Sequence, residues 1–306
     1  MRKLLLWIVV LGGIGWALTR PTTLDPDRLP ARAPDPVNGE RVFHAAGCGS
    51  CHGEDLSGGV EFHTAFGTFR APNISPDPKA GIGGWSDLDL ANAMMRGVSP
   101  TGEHYYPVFP YTSYTRMDPG DVIDLKAYLD GFEPRPDRSQ PHDLSFPFSV
   151  RRGIGLWKKF NLKQRPVMAA DVLDGPAQRG RYLVESLGHC GECHTPRGFL
   201  GMPLEDHYLA GTCDGPEDRL TPNITPDRQT GIGSWSCEQL SRFLASGRKP
   251  DGSFTGGLMA EVLGTSCMRL TRYDREALVT YLQGVAPVHH DLNALCRPYD
   301  DSGFYD

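Results

Sequence analysis

The sequence lacks the short motifs that mark several large enzyme classes. It has no glycine-rich phosphate-binding loop, no nucleophile elbow of the GxSxG type and no HExxH zinc motif. Phosphate-loop nucleotide chemistry, α/β-hydrolase chemistry and zincin-type proteolysis therefore have no support in this chain.

An excess of positive charge is also missing. Lys and Arg number 31 against 37 Asp and Glu, which gives a net charge of −6. A nucleic-acid partner requires a basic face, and a polybasic hold on anionic lipid requires the same. We therefore expect no nucleic-acid partner, and only weak electrostatic steering of a basic protein toward this chain.

Long hydrophobic runs are scarce, and the only one lies at the N-terminus. It contains fifteen residues from Leu4 to Leu18 and follows a basic start, which is typical of an export signal. The run is shorter than the about 17–25 residues of a spanning helix. No clean A-x-A cleavage site follows, and Trp7 and Trp16 lie near its two ends, as interfacial anchors do. We expect residues 1–20 to be a retained membrane anchor; the alternative is a cleaved signal peptide.

The eight cysteines include two copies of one motif, CGSCH at 48–52 and CGECH at 190–194. CxxCH is the attachment signal for a c-type haem, because two cysteines three positions apart can bind the two vinyl groups of one porphyrin. A zinc pair, a thioredoxin-like CxxC or a disulfide would not explain two histidine-completed copies, each at the head of a repeated segment. The sequence therefore predicts two covalent haem c groups, which requires export from the bacterial cytoplasm. The attaching cysteines are Cys48, Cys51, Cys190 and Cys193, and the proximal iron ligands are His52 and His194.

The other four cysteines all lie in the C-terminal half, and none forms another CxxC. In an oxidising compartment one or two disulfides are expected, although three full pairings are open and free buried thiols are the alternative. The four are Cys213, Cys237, Cys267 and Cys296.

The two halves are duplicated well beyond the haem motifs. APNISPD at 71–77 matches TPNITPD at 221–227, and GIGGWS at 81–86 matches GIGSWS at 231–236. Both pairs are 150 residues apart, so the loops between them have equal length. Because Pro and Gly are abundant, we expect much turn and loop structure.

Helix signals recur in both halves. A helix is expected to begin near Asp35 and another near Asp174, each running up to a haem motif. Ser86 and Ser236 are expected N-caps, and a last helix with apolar residues at helical spacing closes each half. We therefore expect a mostly α, loop-rich fold of two tandem class I cytochrome c domains built around covalent haems. The predicted segments are an anchor or signal (1–20), a tether (21–34), domain 1 (35–133), a linker (134–172), domain 2 (173–286) and a C-terminal tail (287–306).

The sixth iron position decides between electron transfer and ligand chemistry. In domain 2 the loop before the last helix offers Met259, with Met268 as the rival. In domain 1 the corresponding loop contains Phe109-Pro110 where Met-Pro is common, so Met117 is its only methionine. If Met117 is merely a core residue, the ligand is His104 or His63, or the position is open.

Two tryptophans and two asparagines of the repeated blocks are further candidates. Trp85 and Trp235 can donate their indole N–H to a haem propionate, or can be core residues. Asn73 and Asn223 are expected to tie down the loop beside each haem.

On these residues the chain resembles dihaem cytochromes c related to the cytochrome subunits of membrane-bound alcohol and aldehyde dehydrogenases. The resemblance extends from Asp35 to Val285. A third haem motif, usual in relatives that serve alcohol dehydrogenase, is absent from this sequence, and the four further cysteines are not part of the pattern. The segments that carry the resemblance are the paired PNI[ST]PD and GIGxWS blocks, YPVFPYTSYTRM (106–117), FPFSVRRGIGLWKKF (146–160) and GHCGECHTPR (188–197).

The resemblance implies Met117 and Met259 as distal ligands. It also implies an electron conduit from a periplasmic dehydrogenase to quinone, another cytochrome or a terminal oxidase, held at the inner membrane by the N-terminus or soluble in the periplasm if cleaved. The main alternative is a dihaem enzyme of the peroxidase or thiosulfate dehydrogenase type. A haem-based sensor or a structural subunit is a third alternative, but no signalling domain is recognisable in the sequence.

Overall fold

The computed structural model describes residues 2–168, 173 and 175–296 and divides after Arg165 into two compact units. We call these unit 1 and unit 2 and describe each separately. The expected helix start at Asp174, the last residues of the predicted linker and the end of the predicted tail lie outside the described residues.

Unit 1 is helical, as the sequence predicted, and its opening helix is fixed by its cap. The Asp35 side chain accepts hydrogen bonds from the backbone N–H groups of Val37 and Asn38. Ser86 caps the later helix through a capping box with Asp89. Both predicted starts are confirmed. The helices of unit 1 are α1 (Arg2–Leu18), α2 (Pro36–Ala45), α3 (Cys48–His52), α4 (Asp87–Arg96), α5 (Tyr111–Tyr114), α6 (Pro119–Leu129) and α7 (Ile154–Asn161).

Helices α2 and α6 cross in close contact at a glycine. A Cβ on Gly39 would lie 2.1 Å from the carbonyl oxygen of Asp124 and 2.8 Å from Cβ of Tyr128. No side chain fits there, so glycine sets the distance between the two helices. This crossing holds α2, the helix that leads into the first CxxCH motif, against α6.

A small antiparallel sheet in unit 1 was not predicted from the sequence. Its strands pair in the order β1-β2-β3, with Phe62 opposite Phe69 and Thr68 opposite Asp143. The strands are too short to show a clear alternation of apolar and polar residues, and the third comes from the predicted linker. The strands are β1 (Glu61–Thr64), β2 (Gly67–Arg70) and β3 (Asp143–Leu144).

Unit 2 repeats the helical plan. A Cβ on Gly180 would lie 2.0 Å from the carbonyl oxygen of Ala277, so the opening and closing helices again cross at a glycine. The helices of unit 2 are α8 (Gly175–Tyr182), α9 (Gly191–His194), α10 (Cys237–Ser246), α11 (Gly257–Thr265), α12 (Arg272–Gly284) and α13 (Leu292–Leu295).

A π-helical turn at Leu183–Leu187 distinguishes the opening helix of unit 2 from that of unit 1. The crossing glycines Gly39 and Gly180 are 141 residues apart, whereas Cys48 and Cys190 are 142 apart. A π-turn accommodates one additional residue without ending the helix. The second haem motif can therefore follow its helix crossing in the same way as the first, although one more residue lies between Gly180 and Cys190 than between Gly39 and Cys48.

Short 3₁₀ turns complete the two units. They lie at Pro26–Arg28, Arg151–Gly153, Phe199–Gly201, Glu205–His207, Pro216–Asp218 and Cys267–Arg269.

One of the expected disulfides is present, between Cys213 and Cys296. Cys237 and Cys267 are free thiols, the first exposed and the second half-buried. The structure therefore selects one pair and leaves the other two cysteines unpaired.

The N-terminal apolar run forms α1, in which Trp7, Leu11 and Trp16 are 63%, 62% and 59% exposed. Within the described part of the chain, no helix combines the length and the apolar character needed to cross a membrane.

Candidate haem sites

The first haem motif forms the short helix α3, and its histidine is oriented by a backbone group. Nδ1 of His52 lies 2.7 Å from the carbonyl oxygen of Pro72. A carbonyl oxygen only accepts, so the proton is on Nδ1 and Nε2 is the nitrogen available to iron.

The second motif has the same geometry. Nδ1 of His194 lies 2.7 Å from the carbonyl oxygen of Pro222. Burial lowers the pKa of both His52 and His194, while the hydrogen bond to the proline carbonyl opposes this shift. The neutral imidazole is therefore favoured at both sites, and this is the form that binds a metal.

Half-buried thiols accompany the histidines. Burial raises the pKa of Cys48 and that of Cys190, each to about 12. Neighbouring cysteines raise both pKa values further: Cys51 beside Cys48, and Cys267 and Cys193 beside Cys190. The two thiols in each motif are not joined to each other as a disulfide. Each motif therefore presents two thiols and one oriented imidazole, which is the donor set of a covalent haem c. When bound, the haem supplies a one-electron iron couple.

The carbonyl groups of Pro72 and Pro222 were not identified as functional from the sequence. Both prolines lie in the repeated PNI blocks, so the repeat itself was the available signal. A backbone acceptor leaves no side-chain signature, and only the fold brings it to the histidine.

The asparagines of these blocks hold the turns in place, as expected. The Asn73 amide donates to the carbonyl oxygens of Arg135 and Asp137 at 2.9 and 2.8 Å, and its Oδ1 accepts from the Ser75 backbone at 2.8 Å. Asn73 thereby ties the segment bearing the Pro72 carbonyl to the chain that follows α6.

Asn223 makes the equivalent contacts in unit 2. Its amide donates to the carbonyl oxygen of Val288 at 2.8 Å and to Thr230 Oγ1 at 3.0 Å, while its Oδ1 accepts from the Thr225 backbone at 2.8 Å. The two turns are thus fixed by the same side chain at the same place.

Trp85 and Trp235 occupy the same position in the two units, just before the N-cap serines. Both are half-buried. The ring of Trp235 packs edge-to-face on Phe243 with centroids 5.4 Å apart. Their assignment as propionate donors stays a prediction.

The predicted distal ligands differ in burial. Met117 is 3% exposed and directly precedes Asp118, the N-cap of α6. Met259 is half-buried near the start of α11, and its rival Met268 is 39% exposed in a short turn. The ligand roles of Met117 and Met259 stay predictions.

Two helical units, each with a CxxCH helix whose histidine bonds a proline carbonyl, define a duplicated c-type cytochrome. The cytochrome c family model matches residues 36–132. A protein named "Diheme cytochrome c-type" from Cereibacter sphaeroides is 45% identical over 291 residues, covering 92% of this chain and 96% of the relative. The chain therefore belongs to the dihaem c-type cytochromes. It carries two covalent haem c groups, and its function is electron transfer.

More distant relatives match both units. The fructose dehydrogenase cytochrome subunit of Gluconobacter japonicus is 36% identical, covering 87% of this chain and 56% of the relative. The cytochrome c subunit of a quinone-dependent alcohol dehydrogenase from Gluconobacter oxydans is 34% identical, with coverages of 83% and 55%. The chain thus spans just over half the length of these two subunits.

Proposed function

We propose that this dihaem cytochrome accepts electrons from a dehydrogenase on the periplasmic side of the inner membrane and passes them to quinone, another cytochrome or a terminal oxidase. The observation that carries the proposal is the match across both haem units to proteins named as dehydrogenase cytochrome subunits. A gluconate 2-dehydrogenase cytochrome c subunit from Pantoea cypripedii adds to this, at 34% identity over 81% of this chain.

The dihaem peroxidase or thiosulfate dehydrogenase alternative is not favoured. The relatives that match both units are cytochromes and dehydrogenase subunits. An electron conduit needs no substrate pocket of its own, since each haem only gains and loses electrons.

Contacts of α1 support a retained N-terminal segment. Arg152 Nη2 donates to the carbonyl oxygen of Trp16 at 2.8 Å, and Arg152 Nε donates to Thr19 Oγ1 at 3.0 Å. The Arg152 guanidinium also lies 5.0 Å from the centre of the Trp16 ring. A cation at the C-terminal end of a helix interacts favourably with the helix dipole. Cleavage after Ala17 or Leu18 would separate these partners.

Two buried side chains, His104 and Lys158, lie next to this contact. His104 Nε2 donates to the carbonyl oxygen of Thr19 at 2.9 Å, and Lys158 Nζ donates to His104 Nδ1 at 3.1 Å. Lys158 also donates to the carbonyl oxygens of Arg96 and Gly97. Burial lowers the pKa of Lys158 to about 7. Helix α7, which lies in the predicted linker, thus connects the C-terminal end of α1 to the rest of unit 1. These contacts support retention of the N-terminal segment in the mature protein.

Exposed apolar side chains lie on either side of Arg152 in the sequence. Phe146, six residues before it, is 83% exposed, and Phe160, eight residues after it, is 64% exposed. Apolar side chains next to cations suit a membrane surface. We therefore propose that the protein remains at the inner membrane through its N-terminus.

Co-purification tests the electron donor. Solubilised membranes from the native host are passed over the tagged full-length protein, and bound dehydrogenases are identified by their substrate-dependent reduction of the haems. We expect haem reduction only with the substrate of the captured enzyme. The proposal would be contradicted if dithionite reduces both haems fully but no captured dehydrogenase reduces them with its substrate.

Intact mass and membrane fractionation test the anchor. We expect a mass that includes residues 1–20 and release from membranes by detergent but not by salt. Arg152→Ala should raise proteolytic cleavage near Thr19, whereas the matched Lys159→Ala should not. A mass that begins after residue 17 or later would show that the segment is removed.

A further inference from the structure

The backbone register between the two units extends past the repeated blocks. Helices α4 and α10 lie 150 residues apart and both end at a glycine with positive φ, Gly97 and Gly247. The Tyr105 N–H donates to the Gly97 carbonyl at 2.8 Å, and the Thr255 N–H donates to the Gly247 carbonyl at 2.9 Å. The offset of 150 therefore holds up to Tyr105 and Thr255.

Continued four residues further, this offset pairs Phe109 with Met259, whereas the N-caps of the two closing helices, Asp118 and Thr271, are 153 residues apart. In this alignment the residue predicted to bind iron in unit 2 has a phenylalanine as its counterpart in unit 1. A phenyl ring has no atom that can coordinate iron. Its place is fixed by packing, because its ring centre lies 5.8, 6.4 and 5.9 Å from those of Tyr105, Tyr111 and Tyr114.

Met117 occupies a different kind of position. It precedes Asp118, the N-cap of α6, as Leu270 precedes Thr271, the N-cap of α12. Met117 is 3% exposed and Leu270 is 8% exposed. Leucine cannot bind iron, so this position in unit 2 is occupied for packing, and the burial of Met117 matches that role.

The two histidines considered as distal ligands in unit 1, His104 and His63, are either hydrogen-bonded through both ring nitrogens or exposed. Both ring nitrogens of His104 have partners, Thr19 and Lys158. The side chain of His63 on β1 is 76% exposed, with Nδ1 3.1 Å from Thr68 Oγ1. Neither presents a buried, uncommitted nitrogen.

We infer that none of the three candidates Met117, His104 and His63 binds the iron of unit 1, and that the distal side of this haem is a binding site for a small neutral ligand such as CO. The haem of unit 2 is closed by Met259. The inference rests on the two covalent haems and not on the identity of the electron donor. It assigns a binding site and no reaction.

Spectroscopy of the full-length protein with both haems tests this without an activity assay. After reduction with dithionite, titration with CO should reach one CO per two haems. In the oxidised protein, the weak red absorption band of His/Met haem should have the intensity of one haem. No CO binding in the unaltered protein, or CO binding at both haems, would overturn the inference.

Three substitutions locate the site. Phe109→Met places a thioether at the position of Met259, and we expect the red band to double and CO binding to fall to near zero. Phe109→Leu, a residue of similar size that cannot bind iron, should keep one CO per two haems. Met259→Ala should abolish the red band and add a second CO site.

Met117→Leu is the decisive control, because it copies Leu270 and preserves the packing. We expect an unchanged red band and unchanged CO stoichiometry. Loss of half the band in this variant would establish Met117 as the ligand and refute the inference. A dehydrogenase that fails to reduce the protein would refute the proposed donor while leaving these spectra unaffected.

Discussion

Gly58 packs directly against the carbonyl group of Pro72, the group that orients His52. A Cβ on Gly58 would lie 2.5 Å from both the carbonyl carbon and the carbonyl oxygen of Pro72, and its φ is +79°. Gly211 has the same relationship to the carbonyl carbon of Pro222, at 2.6 Å, with φ of +80°. Glycine at these two positions allows the proline carbonyl to reach the proximal histidine.

Gly58→Ala should therefore disturb the first haem selectively. The added methyl group displaces the Pro72 carbonyl, and a weaker hydrogen bond makes the His52 imidazole a poorer electron donor. We expect the reduction potential of haem 1 to rise while that of haem 2 stays unchanged, as measured by redox titration.

Gly59→Ala is the matched control for Gly58→Ala. Gly59 also has a positive φ, +95°, but a Cβ there meets nothing within 4 Å. Gly59→Ala should lower the free energy of unfolding by about 1 kcal/mol through backbone strain and leave the reduction potential of haem 1 unchanged. Equal shifts of potential in both variants would show that strain, and not the carbonyl contact, is responsible.

The helix crossing of unit 2 gives a second prediction. Gly180→Ala places a methyl group 2.0 Å from the Ala277 carbonyl oxygen, so α8 and α12 must separate. We expect a loss of about 1–3 kcal/mol in the free energy of unfolding, measured by urea denaturation. Gly264→Ala in α11 meets nothing within 4 Å and should be neutral or slightly stabilising. A neutral Gly180→Ala would contradict the close crossing.

The disulfide of unit 2 closes a long loop, since Cys213 and Cys296 are 83 residues apart. Replacing both by serine should lower the stability of unit 2 by about 2–5 kcal/mol, because the unfolded chain regains loop entropy. Calorimetry should show the loss in one transition only. Cys237→Ser, at the exposed free thiol, is the control and should change nothing.

Asp124 links stability to acidic pH. Its carboxylate is buried and accepts hydrogen bonds from Arg32 Nη1 and Nη2 at 2.7 and 2.8 Å. Arg32, opposed by burial and aided by Asp35 and Asn38, lowers the pKa of Asp124 from 3.8 to about 2. A depressed pKa means that the unfolded chain takes up the proton first as pH falls. The contribution to stability is therefore full above about pH 4 and is lost as pH falls toward 2.

Asp124→Asn removes this titration. We expect roughly 1 kcal/mol less stability at neutral pH, after allowance for the partly exposed Arg32, and a flatter dependence on pH between about 4 and 2. Urea denaturation across that range measures both effects. An unchanged slope in the variant would assign the acid sensitivity to other carboxylates.

Much of the helical fold was predictable from local signals. Ser86 begins a helix because its side chain accepts from the N–H of Asp89, a contact within four residues. The helix starting after Asp35 is fixed in the same local way. The sheet was not predictable, since Thr68 and Asp143 pair across 75 residues and neither strand is long enough to show a pattern. The predicted linker likewise contains α7, whose place depends on the distant contacts of Lys158.

The sequence by itself determined the cofactor, its number and the residues that attach it, because CxxCH is a contiguous chemical motif that needs no tertiary context. The duplication at a constant offset of 150 was equally visible in the chain. Only the tertiary structure decided which carbonyl orients each histidine and which cysteines pair. These depend on backbone atoms and on residues far apart in the chain, which only the packing of helices brings together.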